Sequence, residues 1–92
     1  LIIMIETRIT IINKLGLHAR AAAKLVSTAT AYGCEIKAGK EDKWVDAKSI
    51  MSVMMLAASK GTELELSCNG ADEDRAMEAL TTLINNRFDE NE

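Results

Sequence analysis

Residues 5–33 of the chain read IETRITIINKLGLHARAAAKLVSTATAYG, and the spacing of the apolar side chains changes within this stretch. Over residues 5–11, apolar or β-branched side chains alternate with more polar ones, which is typical of a strand with one buried face. After Gly16, apolar residues recur three and four positions apart, which predicts an amphipathic helix over about residues 18–32. Gly33 is a residue type that commonly ends a helix. The stretch therefore predicts a strand, a short break and a helix.

The rest of the chain repeats these two patterns. Alternation predicts further strands over about residues 34–38, 43–47 and 63–68. Ser49 suits the N-cap of a short helix that we expect to reach about Ser59, and the acidic residues after Gly70 suit the start of a last helix. Strands with one polar face are expected to form one sheet with helices on the other face. The predicted fold class is a two-layer, open-faced α/β (α+β) sandwich with the order β-α-β-β-α-β-α.

The length and charge of the chain narrow the classes of function. Ninety-two residues predict a single domain over residues 1–92, with residues 1–3 as an N-terminal extension if Met4 is the start. The net charge of −3 argues against nucleic-acid binding. The apolar opening is too short and too soon interrupted for a signal peptide, and no apolar run is long enough to span a bilayer. We therefore expect a cytoplasmic protein without membrane insertion.

His18, the single histidine, lies at the predicted start of the first helix. Histidine is the side chain that ordinarily titrates near neutral pH. The unpaired N–H groups and the dipole of a helix start attract an anion such as phosphate, and Arg20 adds a guanidinium donor. The same field disfavours an imidazolium, which leaves a nitrogen lone pair for nucleophilic attack. This combination suits phosphoryl transfer, although a histidine here could also serve only to pack or to cap the helix.

Cys34 and Cys68 are too few for a disulfide framework and lack the spacing of a zinc site. Each falls on the apolar phase of a predicted strand, so we expect both to be small core side chains. The sequence shows neither a set of metal ligands nor a glycine-rich nucleotide loop. We therefore expect no metal and no cofactor.

The motif LGLHAR at residues 15–20, followed by an alanine-rich helix, resembles the active-site signature of the HPr family of phosphocarriers in the phosphotransferase system. The helix start KSIMSVM at residues 48–54 and the helix entry GADE at residues 70–73 match two further landmarks of the family. The resemblance covers residues 5–88 and implies a four-stranded antiparallel sheet of order 1-4-2-3 with three helices on one face. One departure is Ala21, where the family usually has proline, and its loss is expected to loosen the local backbone slightly.

Two stretches resemble the nitrogen-branch (NPr) members of the family more than the sugar-branch members. They are NKLGLHAR at residues 13–20 and RFDE at residues 87–90. The resemblance therefore implies a carrier of the regulatory, nitrogen-related phosphotransferase system. A sugar-branch carrier for carbohydrate uptake and a non-catalytic α/β ligand-binding or regulatory domain are the alternatives.

The resemblance also implies a mechanism and partners. An enzyme I-type kinase, charged by phosphoenolpyruvate, would pass a phosphoryl group to Nδ1 of His18. The carrier would hand it to a histidine of a IIA-type acceptor domain. Arg20 and the backbone N–H groups of Ala19 and Arg20 would hold the phosphoryl oxygens. Such a protein is a covalent relay and not an enzyme with turnover of its own, and we expect it to be a monomer.

The second predicted helix is too apolar all round to be covered by one sheet, so some of its methionines are expected to be exposed. By the resemblance, the partner-docking residues around His18 are Leu17, Ile50, Met51 and Met54. In part of the family a serine matching Ser49 is phosphorylated by a dedicated kinase, which makes Ser49 a candidate for regulatory phosphorylation. An N-cap role, typically worth about 1 kcal/mol, explains the same serine without a kinase.

Overall fold

The computed structural model describes residues 4–92, and the expectations for residues 1–3 lie outside this range. The elements are β1 (Ile5–Thr10), α1 (Ala19–Thr30), β2 (Glu35–Lys40), β3 (Lys43–Asp46), α2 (Ile50–Met55), β4 (Glu63–Asn69) and α3 (Glu73–Asn85), with a 3-10 turn at Arg87–Asp89. The four strands pair antiparallel in the order β1-β4-β2-β3, and the helices cover one face. The predicted fold class and strand order are confirmed. No helix within residues 4–92 is long and apolar enough to cross a membrane.

The core lies between the sheet and the helices, where the periodic positions predicted to be apolar are buried. The buried stripe of α1 includes Ala22, Leu25, Val26 and Ala29. The facing side chains of the sheet are Ile36, Ala38, Leu64, Leu66 and Cys68. Both cysteines are buried free thiols, as expected of core side chains.

Two helices end earlier than their sequence patterns predict. Helix α1 ends at Thr30, and Gly33 does not act as its left-handed cap: its N–H instead donates to Asp72 Oδ2 at 2.9 Å. Helix α2 ends at Met55 and not near Ser59, because Ala57 has a left-handed φ of 52°. The carbonyl of Ala58, which follows this break, accepts a hydrogen bond from the backbone N–H of Leu17.

The C-terminal segment after α3 folds back onto the start of α1, which the sequence pattern did not predict. Phe88 is fully buried, and its carbonyl accepts a hydrogen bond from Lys24 Nζ at 2.8 Å. Farther along, the backbone N–H of Lys14 donates to the carbonyl of Glu92 at 2.6 Å. These contacts bring the tail beside the loop between β1 and α1.

Candidate functional site

The His18 ring lies at the open end of α1, as the sequence predicts. His18 is the N-cap residue, with an extended backbone (φ −72°, ψ 176°), and its carbonyl accepts the first helical bond from Ala22 at 2.8 Å. The backbone N–H of Arg20 donates to Nδ1 at 3.3 Å. The side chain keeps 28% of its exposed area, so a reaction partner can reach it.

The loop before His18 is held in place by Gly16. This residue has a φ of +64°, and a Cβ atom on it would lie 2.5 Å from the carbonyl oxygen of Ala58. The same carbonyl accepts a hydrogen bond from the backbone N–H of Leu17 at 2.8 Å. A residue without a side chain is thus needed for the loop to rest on the segment after α2, and this contact sets the point at which α1 begins.

Asn13 joins this loop to the C-terminal tail. Its side chain is fully buried, and Nδ2 donates to the carbonyl of Gly16 at 2.8 Å and to Oε1 of Glu90 at 3.0 Å. The other carboxylate oxygen of Glu90 contacts Nε2 of His18. The ring therefore has two different edges: Nδ1 faces the helix amides, and Nε2 faces a carboxylate.

The environment of Glu90 favours its ionised form. Burial raises the pKa of the Glu90 carboxyl, but the hydrogen bonds from Asn13 and His18 outweigh this effect and the pKa lies below its usual value. An ionised carboxylate can only accept hydrogen bonds. Glu90 is therefore an acceptor toward the imidazole at neutral pH.

The residues predicted to hold phosphate lie beside this ring. Ala19 and Arg20 are exposed at the first turn of α1, and Ala21, which replaces the family's usual proline, is fully buried. Within residues 4–92 the guanidinium of Arg20 takes part in no ion pair. A surface cleft beside the ring is lined by Lys14, Leu15, His18, Ala19, Arg20, Glu90, Asn91 and Glu92. A cationic side chain and an open helix end thus meet in one cleft that an anion could enter.

The docking residues named from the sequence do not all lie at the surface. Ile50, Met51 and Met54 are exposed, at 44%, 71% and 39%. Leu17 is 6% exposed and belongs to the core, so its assignment to the docking surface was wrong. Its backbone is bound to the segment after α2, which directs the side chain inward. The exposed apolar residue of this loop is Leu15, at 66%.

Ser49 caps α2, because its hydroxyl accepts a hydrogen bond from the backbone N–H of Ser52 at 3.3 Å. The expected N-cap role is therefore confirmed.

In residues 4–92 no group of three His, Cys, Asp or Glu side chains is placed to hold a metal ion.

Sequence reasoning missed Asn13, Leu15 and Glu90 as parts of the site. None of them belongs to a periodic apolar pattern, and Glu90 lies 72 residues from His18 along the chain. The available signals were their presence in the two stretches compared with the nitrogen-branch carriers and, for Leu15, its place in the motif LGLHAR.

Comparisons with known proteins agree with this geometry. A family profile described as "PTS HPr component phosphorylation site" matches residues 5–86. The "Phosphocarrier protein HPr" of Pseudomonas aeruginosa is 62% identical over 85 residues, covering 91% of this chain and 94% of that protein. The protein of the same name from Neisseria meningitidis is 55% identical over 89 residues, covering 97% and 100%.

Solved structures of HPr proteins have the same fold as this chain. The crystal structure of HPr-C-His from Thermoanaerobacter tengcongensis matches with a TM-score of 0.92 and 45% identity, covering 96% of this chain and 99% of that chain. A phosphocarrier protein HPr from Bacillus anthracis matches with a TM-score of 0.85 and 37% identity, covering 88% and 96%. The similarity extends over nearly the whole chain in sequence and in structure.

Proposed function

Because this chain belongs to the HPr family and is a phosphocarrier of the phosphotransferase system, we propose that it carries the phosphoryl group on Nδ1 of His18. A protein of this family is a carrier and not a catalytic enzyme. It holds a phosphohistidine between a donor protein and an acceptor protein.

The observation that carries the proposal is the hydrogen bond from the Arg20 N–H to Nδ1 of His18. A backbone N–H can only donate, so Nδ1 must offer its lone pair at this position. That lone pair lies at the open end of α1, where unpaired N–H groups and the helix dipole favour a phosphoryl anion. Nucleophile and anion site therefore coincide.

The transfer step uses these groups in a simple order. The Arg20 N–H releases the lone pair of Nδ1, which attacks phosphorus. The bond from phosphorus to the donor's histidine nitrogen breaks, and its electron pair returns to that nitrogen. The N–H groups of Ala19 and Arg20, with the Arg20 guanidinium, then donate to the phosphoryl oxygens. Transfer to the acceptor histidine is the same displacement in the opposite direction, with this carrier's imidazole as the leaving group.

The partners follow from the chemistry of a relay. We assign the donor to an enzyme I-type kinase charged by phosphoenolpyruvate and the acceptor to a IIA-type domain, in the nitrogen-related branch. We also propose that residues 1–92 act as one monomeric carrier domain in the cytoplasm. The exposed side chains of Ile50, Met51 and Met54 would form the docking surface together with Leu15. Flexible thioethers suit a surface that must fit two partners in turn.

The central experiment combines the protein with phosphoenolpyruvate and an enzyme I-type donor and follows the product on a phosphate-affinity gel. We expect an acid-labile, base-stable adduct that is absent from His18→Ala. We expect Arg20→Ala to slow the transfer roughly 10- to 100-fold, since a hydrogen bond to a charged group is worth about 1.5–3 kcal/mol. Arg75→Ala, an exposed arginine on α3, is the matched control and should transfer at the wild-type rate. An adduct that persists in His18→Ala contradicts the proposal.

Two further comparisons test the partner assignments. Transfer to nitrogen-type IIA domains should be faster than transfer to sugar-type domains, and equal rates contradict the branch assignment. Met51→Ala should weaken donor and acceptor binding, whereas Met55→Ala should not, although Met55 has a similar exposure of 65% on the same helix. Equal losses of binding in the two variants would contradict the assignment of the docking surface to Met51 and not Met55.

A further inference from the structure

The Nε2 edge of the His18 ring is occupied by a carboxylate that the transfer step described above does not use. Glu90 contacts Nε2 through Oε2, while Oε1 is held by Asn13. We propose that Glu90 is a positioning residue: it fixes the His18 tautomer that exposes the Nδ1 lone pair and balances the positive charge that the ring gains on phosphorylation. The proposal rests on the proposed function of His18.

The tautomer follows from two contacts on opposite edges of the ring. The ionised carboxylate of Glu90 accepts, so Nε2 must carry the proton. The Arg20 N–H donates, so Nδ1 must carry the lone pair. Free imidazole is divided between its two tautomers, and the hydrogen bond made by one nitrogen decides the state of the other. Here both contacts select the same tautomer.

The carboxylate is held by a folded segment. The Glu90 side chain keeps only 16% of its exposed area. On its N-terminal side, Phe88 is fully buried and its carbonyl is bound by Lys24. On its C-terminal side, the carbonyl of Glu92 is bound by the N–H of Lys14. Anchors on both sides reduce the entropy that would be lost in holding a tail residue against the ring.

The position of the carboxylate also suits the charge changes of the reaction. When Nδ1 forms its bond to phosphorus, the ring keeps its Nε2 proton and becomes cationic. Glu90 receives that proton's hydrogen bond and stabilises the cation, as charge-assisted bonds do. The carboxylate lies at the Nε2 edge, across the ring from Nδ1, so it does not face the incoming phosphoryl oxygens. When the phosphoryl group leaves, the electron pair of the N–P bond returns to Nδ1 and the ring is neutral again.

The test compares Glu90→Gln with Glu92→Gln, a neighbouring tail carboxyl that pairs with the exposed Lys14 side chain. Protein labelled with ¹⁵N-histidine reports the tautomer directly, because a protonated nitrogen and one with a lone pair have well-separated ¹⁵N shifts. We expect a single Nε2–H tautomer in the wild type and Glu92→Gln, and a mixture in Glu90→Gln. Transfer by Glu90→Gln should be roughly 10- to 100-fold slower, and Glu90→Asp should recover part of the rate.

An unchanged tautomer in Glu90→Gln, or an unchanged transfer rate, overturns the proposal. The ¹⁵N spectrum is recorded without any partner, so it remains informative if the donor assay gives no phosphohistidine. A phosphoryl adduct that forms on a residue other than His18 would instead contradict the proposed function. Backbone amide spectra of each variant establish that the tail is still folded when the comparison is made.

Discussion

Gly16→Ala is expected to disturb the loop that places His18 at the start of α1. A Cβ atom there would lie 2.5 Å from the Ala58 carbonyl oxygen and 2.8 Å from Cα of Ser59. Both are backbone atoms, so no side-chain rotation relieves the contact. The loop must lift from the segment after α2, and the first interaction at risk is the 2.8 Å hydrogen bond between the Leu17 N–H and the same carbonyl.

The magnitude follows from two terms. A left-handed backbone, here φ +64°, costs a residue with a side chain roughly 1–2 kcal/mol. Loss of the Leu17 hydrogen bond costs about 0.5–1.5 kcal/mol. The free energy of unfolding should therefore fall by about 1.5–3.5 kcal/mol, which is a large part of the roughly 5–14 kcal/mol usual for a domain of this size.

The assay is urea unfolding, with the change read from the midpoint at an unchanged m-value. Gly61→Ala is the matched control: its φ is +91°, but no atom lies within 4 Å of its added Cβ. It should lose only the backbone term, about 1–2 kcal/mol, and keep its transfer rate. Gly33→Ala, which has neither a left-handed φ nor a close neighbour, should be neutral or slightly stabilising. If Gly16→Ala is no less stable than Gly61→Ala, the loop contact has been misjudged.

Three further predictions concern carboxyls, thiols and a helix cap. Hydrogen bonds from the backbone N–H of Gly33 and from Cys34 lower the pKa of Asp72. Burial raises the pKa of Glu90, but the hydrogen bonds from Asn13 and His18 lower it by more. The stability that these two ionised carboxylates give the fold is fully present above their ordinary pKa values, 3.8 for Asp72 and 4.5 for Glu90. It is lost as the pH falls through their lower folded-state pKa values, which a pH series of urea titrations measures. Burial raises the pKa of Cys34, and that of Cys68 to about 12, so neither thiol should react with a thiol reagent in the folded protein at neutral pH, whereas both should react in urea. Ser49→Ala should lower the free energy of unfolding by about 1 kcal/mol through loss of the α2 cap, as read from the urea midpoint.

Each of these predictions has a result that contradicts it. An Asp72→Asn variant that keeps the full acid-side loss of stability would show that this carboxyl is not responsible for it. Rapid labelling of either cysteine in the native state would be incompatible with its burial. Ser49→Asp should retain the cap while adding charge; if it is as unstable as Ser49→Ala, the hydroxyl contact with Ser52 does not stabilise the helix.

The strands, the helices and the position of His18 were predictable because each is encoded in neighbouring residues. Alternation along β4 and the three-and-four spacing along α1 report which face of an element is apolar, and the structure buries those faces. The position of His18 at the start of a helix follows from the break at Gly16 and the apolar stripe that comes after it.

Other features depend on contacts between distant segments, which periodicity does not report. Helix α2 ends early at the left-handed Ala57, and the segment after it binds the backbone of Leu17, whose side chain lies in the core. The burial of a loop residue depends on where the loop rests, and its residue type does not reveal this.

The composition of the site shows the same division. His18 and the helix amides beside it are local to residues 18–20, so the sequence alone places them together. The carboxylate at the opposite edge of the ring comes from Glu90, and it arrives there only because Phe88 is buried and Asn13 bridges the tail to the loop. Chain closure over such a distance is decided by the packing of the whole domain, and so the tertiary structure determines which proton the imidazole keeps.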